Sequence, residues 1–401
     1  MSDRSLVLWM CLGQVGSLLP LSTVATLVPF FGQHWALSNA EAGWLAGSIY
    51  VGYMLAVPFL MALTDRIDAR LVFLAGAATS VVAAIGFGLA ADGLWSGTVW
   101  RVLAGIGLAG SYMPGLKALT DRFAGSEQSR GVASYTASYS IGAGLSYLFA
   151  GLLSDLIGWQ WMFVASAGGP LLPLAIGILV LRPKRPIPSQ TVQNLLDFRP
   201  VFRNRAAMGY ILAYTAHCFE LSAFRSWLVA FMAFVAMRHG DGGGFFSPTL
   251  VATLVTLIGL PASIFGNEIS IRFGRQRMVT CIMSLSAVVG CLIGTFATSS
   301  FALVLVLVII YAATVTGDSG SLTAGTVSAA APDLRGATMA LHSTLGFAVS
   351  FLAPLLFGLV LDWTGGQGSA LSWSLAYACN GLFVLFGPLA LWWARRPQTT
   401  R

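Results

Sequence analysis

The stretch AYTAHCFELSAFRSWLVAF, from Ala213 to Phe231, places three ionisable side chains in an otherwise apolar run. His217 and Glu220 are three positions apart, so a helix carries both on one face, where a proton can pass between them. Arg225 lies about 140° further around that helix and is expected to face elsewhere. Because an ionisable side chain in hydrocarbon costs at least about 2.5 to 3.5 kcal/mol, each should face a partner or a wet cavity.

Each of these charges has a functional and a structural interpretation. Glu220 either couples transport to protons or recognises a cationic substrate group, or it forms a structural ion pair with Arg225 or Arg101 that locks two helices. His217 is either a proton relay or a hydrogen-bonded packing residue. Arg225 either binds an anionic substrate through its guanidinium or extends to the membrane interface.

A further acid occurs in the run VTGDSGS, where Asp318 is flanked by Gly317 and Gly320. The glycines allow a neighbouring backbone to approach closely. Asp318 is therefore expected to accept a proton or bind substrate, or only to hydrogen-bond near His342. Uncharged polar candidates for a central cavity are Gln14, Tyr112 and Tyr214.

The composition identifies the elements that must hold these residues. Of 401 residues, 56% are hydrophobic and 9% charged, whereas a soluble domain carries about 25% charged residues. This indicates an all-α integral membrane protein rather than a soluble fold. The cysteines lie inside apolar runs without CxxC spacing, which predicts no disulfide, metal site or cofactor; they are Cys11, Cys218, Cys281, Cys291 and Cys379.

Apolar stretches of about 20 residues, enough to cross about 30 Å of hydrocarbon, predict twelve transmembrane helices. The first is too long for a signal-peptide core and is expected to be retained. A basic, proline-containing linker at 183–205 separates an N-terminal six-helix bundle, 1–182, from a C-terminal one, 206–401. The predicted spans are 6–31, 41–63, 71–91, 96–118, 131–156, 161–182, 206–236, 247–270, 279–297, 301–327, 336–361 and 370–394.

The distribution of positive charge predicts the orientation. With both termini in the cytoplasm, all 22 Lys and Arg residues except Arg101, Arg225 and Arg238 fall on the cytoplasmic side. One missed or extra helix would scramble this asymmetry. The net charge of +7 is therefore a topology signal, and no nucleic-acid partner is expected.

The two halves of the chain also repeat one another. TDRIDAR, from Thr64, matches IRFGRQR, from Ile271; SRGVAS matches LRGATM; and GLLSDLIG matches GLVLDWTG. The matched residues, such as Asp155 and Asp362, lie about 206 positions apart in every pair, which indicates a duplicated six-helix unit.

Over its whole length the sequence resembles the major facilitator superfamily. The fourth span contains RVLAGIGLA, which matches the family's RxxxGxGxA pattern through Arg101, Gly105, Gly107 and Ala109. The resemblance implies two pseudo-symmetric bundles and a role for Arg101 in proton coupling. YSIGAGLSYLFAG, from Tyr139, lies where antiporters of the family carry a glycine-rich stretch, although Ser146 and Tyr147 replace the expected Gly-Pro.

The family's loop motif, GxxxDRxGRR, occurs twice in degraded form. Met61 and Asp68 replace the glycines of the first copy, and Asn267 and Ile271 depart from the second. We expect loop charges to close the cytoplasmic gate through ion pairs with helix ends, which must break for the halves to rock. These predicted gate residues are Asp65, Arg66, Arg130, Arg272 and Arg335.

The favoured function is secondary active transport by alternating access, without enzymatic activity. The mixture of positive and negative charge inside the spans predicts that the substrate is a small organic anion or a zwitterion. We expect it to be moved together with protons. The protein is expected to be a monomer in the cell inner membrane. Multidrug efflux by proton antiport is the alternative within this class. A membrane enzyme or a non-transporting membrane sensor is the alternative from another class. The sequence contains no HExxH or GxSxG motif, which a membrane enzyme would be expected to carry, and no GxxxxGK[ST] loop for ATP-driven transport. The soluble output domain typical of a sensor is not expected either.

Overall fold

The computed structural model describes residues 3–122, 125–184, 198–238 and 246–395, which form helices and no strand. The predicted all-α fold is confirmed. In the first part of the chain the helices are α1 (Asp3–Ser17), α2 (Thr23–Thr26), α3 (Val28–His34), α4 (Asn39–Leu63), α5 (Ala69–Ala90), α6 (Leu94–Thr120), α7 (Gly125–Ser166), α8 (Gly168–Leu179) and α9 (Arg199–Arg203). They continue as α10 (Arg205–Arg238), α11 (Pro248–Phe273), α12 (Arg275–Thr295), α13 (Phe301–Gly317), α14 (Ser319–Ala329), α15 (Arg335–Thr364), α16 (Ala370–Val384) and α17 (Phe386–Arg395), with a short 3-10 turn at Pro332–Leu334.

Within these ranges, 10 helical stretches are long and apolar enough to cross a membrane. One of them, Arg130–Leu179, contains two of the predicted spans. It is interrupted at Gly158, whose φ of +80° lies in the left-handed region that glycine adopts without strain. The ten stretches thus account for eleven predicted spans. Within the predicted linker, residues 185–197 lie outside the described ranges.

The remaining span, predicted as continuous over 6–31, is interrupted in the structure. Its first helix, α1, ends at Ser17, and α2 begins only at Thr23. Pro20 lies in this break, where its missing N–H and its ring are incompatible with a continuing helix. The hydrophobic run was identified correctly, but its prediction as one helix was wrong.

The described helices form two compact units. The first unit comprises Met1–Leu37, Ser48–Gln193 and Thr249–Leu257, and the second comprises Ser38–Gly47, Asn194–Pro248 and Ile258–Arg401. In the second unit α10 is the central helix, buried along most of its length and packed against α15, α17 and α14. Such all-round burial in an apolar helix is what places ionisable side chains away from lipid.

The carboxylate of Asp362 caps the start of α4 within the second unit. Its oxygens accept hydrogen bonds from the backbone N–H groups of Asn39 and Ala40, at 2.9 and 2.8 Å, and from Asn39 Nδ2 at 2.7 Å. A carboxylate at this position satisfies unpaired N–H groups and interacts favourably with the helix dipole. The sequence comparison of the two halves had singled out Asp362 as the counterpart of Asp155, but it did not indicate this contact with α4.

Two helix backbones approach closely at Gly317, as the sequence predicted, but the approach also requires a glycine on the other helix, Gly266. A Cβ atom at Gly266 of α11 would overlap the carbonyl oxygen of Gly317 in α13. Gly320 also lies close to α11, since its N–H donates to Ser263 Oγ at 3.2 Å. Only glycine at position 266 therefore lets the two helices approach this closely.

We expect Gly266→Ala to destabilise the protein, because the added methyl meets backbone rather than a flexible side chain. Overpacking of this kind costs about 1 to 3 kcal/mol. The measurement is thermal unfolding in detergent. Gly368→Ala is the matched control, because a Cβ at that position has no neighbour within 4 Å, and its unfolding temperature should not change. Equal behaviour of the two variants would contradict the predicted close approach.

Candidate functional site

Three ionisable side chains predicted from the sequence lie together in the second unit. His217, Glu220 and Asp318 are 1%, 1% and 2% exposed. Because Tyr214, His217 and Glu220 follow one another at intervals of three residues, each lies beside the next on the surface of α10. Asp318 reaches the same cluster because α13 ends at Gly317 and α14 begins at Ser319, which places this acid at the joint between the two helices.

Asp318 pairs with His217. The imidazole Nδ1 lies 2.7 Å from the carboxylate Oδ1, although the angles are not those of a hydrogen bond. The pair links α10 to the joint between α13 and α14. The sequence had left open a contact of Asp318 near His342, but the structure instead pairs His342 Nδ1 with Thr326 Oγ1, at 3.2 Å.

The carboxyl group of Glu220 is held by neighbours from two other helices. Ser286 Oγ of α12 donates to Glu220 Oε1 at 2.9 Å, and the hydroxyl of Tyr311 in α13 lies beside this carboxyl. Asn380 Nδ2 of α16 donates to the backbone oxygen of Glu220 at 3.2 Å and to Tyr311 Oη at 3.1 Å. These contacts fix the position of the acid inside the unit.

The predicted alternative of a structural ion pair at Glu220 is not what the structure shows. Among the described residues, no ion pair joins Glu220 to Arg225 or Arg101. Glu220 instead interacts electrostatically with Asp318. The second unit therefore brings two acids, rather than an acid and an arginine, into one buried cluster.

Tyr214 extends this cluster along α10. Its ring stacks on His342 of α15 with the ring centroids 3.7 Å apart, and on His217 with the centroids 5.7 Å apart. Stacking between flat rings restricts the orientations of both imidazoles. Tyr214, predicted as a polar cavity residue, therefore contacts both histidines of the cluster.

Arg101 lies in the first unit and is 3% exposed. Its Nη1 and Nη2 donate to the backbone oxygens of Pro20 and Leu21, each at 3.3 Å. Ser146 Oγ donates to Leu19 O at 2.6 Å and accepts from the N–H of Ser22 at 2.9 Å. Arg101 and Ser146 thus satisfy backbone groups that the break between α1 and α2 leaves unpaired inside an apolar region.

The other polar candidates also lie in described parts of the helices. Gln14 is 1% exposed, and neither amide atom has a hydrogen-bond partner among the described residues. Tyr112 stacks on Tyr135 with the ring centroids 6.1 Å apart, and its ring is tilted by 55° to that of Tyr139, 5.4 Å away. Arg225, on α10, is half-buried. A buried amide without partners costs free energy, which makes Gln14 the candidate in the first unit that most favours a ligand.

The predicted gate residues are exposed in the structure: Asp65, Arg66, Arg130, Arg272 and Arg335. At the start of α5, a neighbouring acid makes the contacts instead: Asp68 accepts from the N–H of Arg70 at 2.9 Å and of Lys184 at 2.7 Å. Partial burial lowers the pKa of Arg122, while nearby Asp68 and Asp121 raise it and Arg70 lowers it. The gate assignment stays a prediction.

Several functional neighbours escaped the sequence reasoning, which followed formal charge. Ser286, Tyr311 and Asn380 are uncharged, and each is fully or nearly fully buried. An asparagine in a membrane span is itself a signal, because its amide needs partners there. Among the described residues, no group of three or more His, Cys, Asp or Glu side chains is arranged to hold a metal ion.

The sequence matches the Major Facilitator Superfamily over residues 10–249. The chain belongs to this superfamily. The expected family resemblance is confirmed, and the protein is a multi-pass membrane protein of a family of transporters. The solved structure of a bacterial homolog to the human lysosomal transporter Spinster, inward-facing and unoccupied, has the same fold, with a TM-score of 0.76, 16% identity and coverage of 98% of this chain and 96% of that chain.

Two superfamily members are similar to this chain in sequence. The sphingosine-1-phosphate transporter SPNS2 of Danio rerio is 24% identical over 55% of this chain and 46% of its own length. The voltage-gated purine nucleotide uniporter SLC17A9 of Rattus norvegicus is 27% identical over 65% of this chain and 60% of its own length. The chain thus spans roughly half of these curated relatives.

Proposed function

We propose that the protein is a secondary active transporter that moves a small organic solute with protons by alternating access between the predicted bundles, 1–182 and 206–401. The observation that carries the coupling proposal is the buried cluster of His217, Glu220 and Asp318 in the second unit. Ionisable residues inside membrane helices are costly, and in pumps and transporters they form proton relays.

The cluster can link protonation to a conformational change. Glu220 and Asp318 are two acids in one buried cluster. Protonation of Asp318 would remove the charge that attracts a protonated His217, and this pair connects α10 to the joint between α13 and α14. A proton thus acts at a junction between helices, where a local electrostatic change can shift a two-state equilibrium.

The proposed substrate is an organic anion or zwitterion. The buried or half-buried guanidinium groups of Arg101 and Arg225 supply positive charge inside the helices, and guanidinium pairs favourably with carboxylate or phosphate. Both relatives are named for transport of phosphate-bearing molecules, a purine nucleotide and sphingosine-1-phosphate. Because the second of these is amphipathic, efflux of amphipathic compounds by proton antiport is the alternative.

The remaining assignments belong to the same proposal. We place the protein in the cell inner membrane as a monomer, with both termini in the cytoplasm and no enzymatic activity. Gln14, Tyr112 and Tyr214 contribute polar groups to the transport path, and the exposed loop charges form the cytoplasmic gate.

The test is flux into proteoliposomes that contain the purified full chain. An imposed pH gradient should drive uptake of organic acids or phosphate esters more strongly than uptake of cationic dyes. Collapse of the gradient with an ionophore should abolish accumulation above equilibrium. Flux of a substrate that is independent of pH would contradict proton coupling, and preferential transport of cationic dyes would favour the antiport alternative.

A further inference from the structure

A second candidate site lies in the second unit, where α11 ends and α12 begins. It is an open cavity of about 480 Å³ that is separate from His217, Glu220 and Asp318. Its wall carries one charged residue, Arg275, and no carboxylate. The described lining consists of Tyr210, Ser270, Ile271, Gly274, Arg275, Gly325, Ser328 and Ala329.

The guanidinium of Arg275 retains donors for a ligand. Its Nη1 lies 3.4 Å from Ser328 Oγ, which is long for a hydrogen bond. Its buried Nε has no hydrogen-bond partner among the described residues. A guanidinium presents its N–H groups as a planar fork that matches the oxygens of phosphate, so this side chain is suited to bind an oxyanion.

Tyr210 supplies a second donor on the same wall. Its ring packs against Gly325, where a Cβ atom would lie 2.5 Å from ring carbon Cδ1. The side chains of Arg275 and Gln276 lie near its phenol group. The phenol hydroxyl carries one donor, which can serve an acceptor inside the cavity.

The surroundings of the cavity favour an interfacial ligand. Ile271, on its wall, and the neighbouring Phe273 are 61% and 58% exposed, which in a membrane protein places apolar side chains next to lipid. The guanidinium of Arg205 lies 4.6 Å from the centre of the Trp393 ring, an arrangement typical of the level of the headgroups. Basic pockets between helices at this level bind anionic lipid headgroups.

We propose that this cavity binds a phosphate group, with Arg275 Nε and the Tyr210 hydroxyl donating to its oxygens. The phosphodiester of an anionic phospholipid and a free phosphate present the same oxygens. This proposal does not depend on the proposed function, because the cavity is separate from the cluster of His217, Glu220 and Asp318 and can bind phosphate whether or not the protein transports protons.

The test compares Arg275→Gln with Arg277→Gln in the purified full chain. Both variants lose one positive charge, but Arg277 is exposed and does not line the cavity. Binding is measured in nanodiscs of phosphatidylcholine with increasing phosphatidylglycerol, and separately with inorganic phosphate in pure phosphatidylcholine. Arg275→Gln should weaken saturable binding about tenfold, the loss expected for one charge-assisted contact, and Arg277→Gln should not change it.

Dependence on Arg275 with phosphatidylglycerol alone identifies a lipid site, and the same dependence with inorganic phosphate identifies a soluble ligand. Tyr210→Phe, which keeps the packed ring, should weaken binding about threefold and provides a second variant if Arg275→Gln does not fold. Equal weakening in Arg275→Gln and Arg277→Gln, or no saturable binding of either probe to the unmodified protein, would overturn the proposal.

Discussion

Glu220→Gln is expected to abolish proton-driven accumulation of substrate while leaving substrate exchange across the membrane intact. The amide keeps the size of the side chain and can accept from Ser286 Oγ, which lies 2.9 Å from the carboxyl oxygen, but it cannot bind and release a proton. Exchange between two loaded states does not require release of the proton. Since one positioned acid or base contributes about 100-fold or more to a proton-transfer rate, the initial rate of pH-driven uptake should fall by this order.

The measurements are pH-driven uptake and counterflow with the same proteoliposomes. Glu268→Gln is the matched control, because it makes the same chemical change at an exposed position of α11 in the same unit. It should retain both activities. Full pH-driven accumulation in Glu220→Gln would remove this residue from the coupling mechanism, and loss of both activities would indicate a structural role.

Breaking the pair between His217 and Asp318 should give the largest loss of stability. Each of the variants His217→Gln and Asp318→Asn leaves a buried polar partner without its counterpart at a site where both residues are at most 2% exposed. Removal of one member of a buried pair costs about 3 to 5 kcal/mol. The double variant should lose less than the sum, with a coupling free energy of about 1 to 3 kcal/mol.

The measurement is chemical unfolding in detergent for the two single variants and the double variant. His34→Gln combined with Asp318→Asn provides a matched control, because His34 is exposed and lies in α3. That combination should be additive. If the pair of His217 and Asp318 variants were also additive, the 2.7 Å contact would carry no net interaction.

Local regularities allowed the sequence to predict much of this arrangement. The apolar length of each span identified a membrane protein and predicted twelve spans, and the helical period placed His217 and Glu220 on one face of α10. Formal charge in an apolar run singled out Asp318. Each of these inferences depends on residues within about one membrane span, where backbone geometry alone fixes the relation between side chains.

The contacts of the candidate site required the tertiary structure. Nothing in the sequence indicated that Asp318 meets His217 rather than a group near His342, or that Ser286 and Asn380 hold Glu220. The break at Pro20, predicted as continuous helix, is stable because Arg101 binds its carbonyl groups from another helix.

The sequence by itself determined the all-α membrane class and singled out His217, Glu220 and Asp318 within apolar runs. The tertiary structure decided which charges are partners, which glycine permits the approach of α11 and α13, and where Arg275 meets a cavity. The physical reason is that hydropathy and helical period act along neighbouring residues. Pairing between side chains distant in sequence depends on how whole helices pack, and a small rotation of one helix changes every partner on its face.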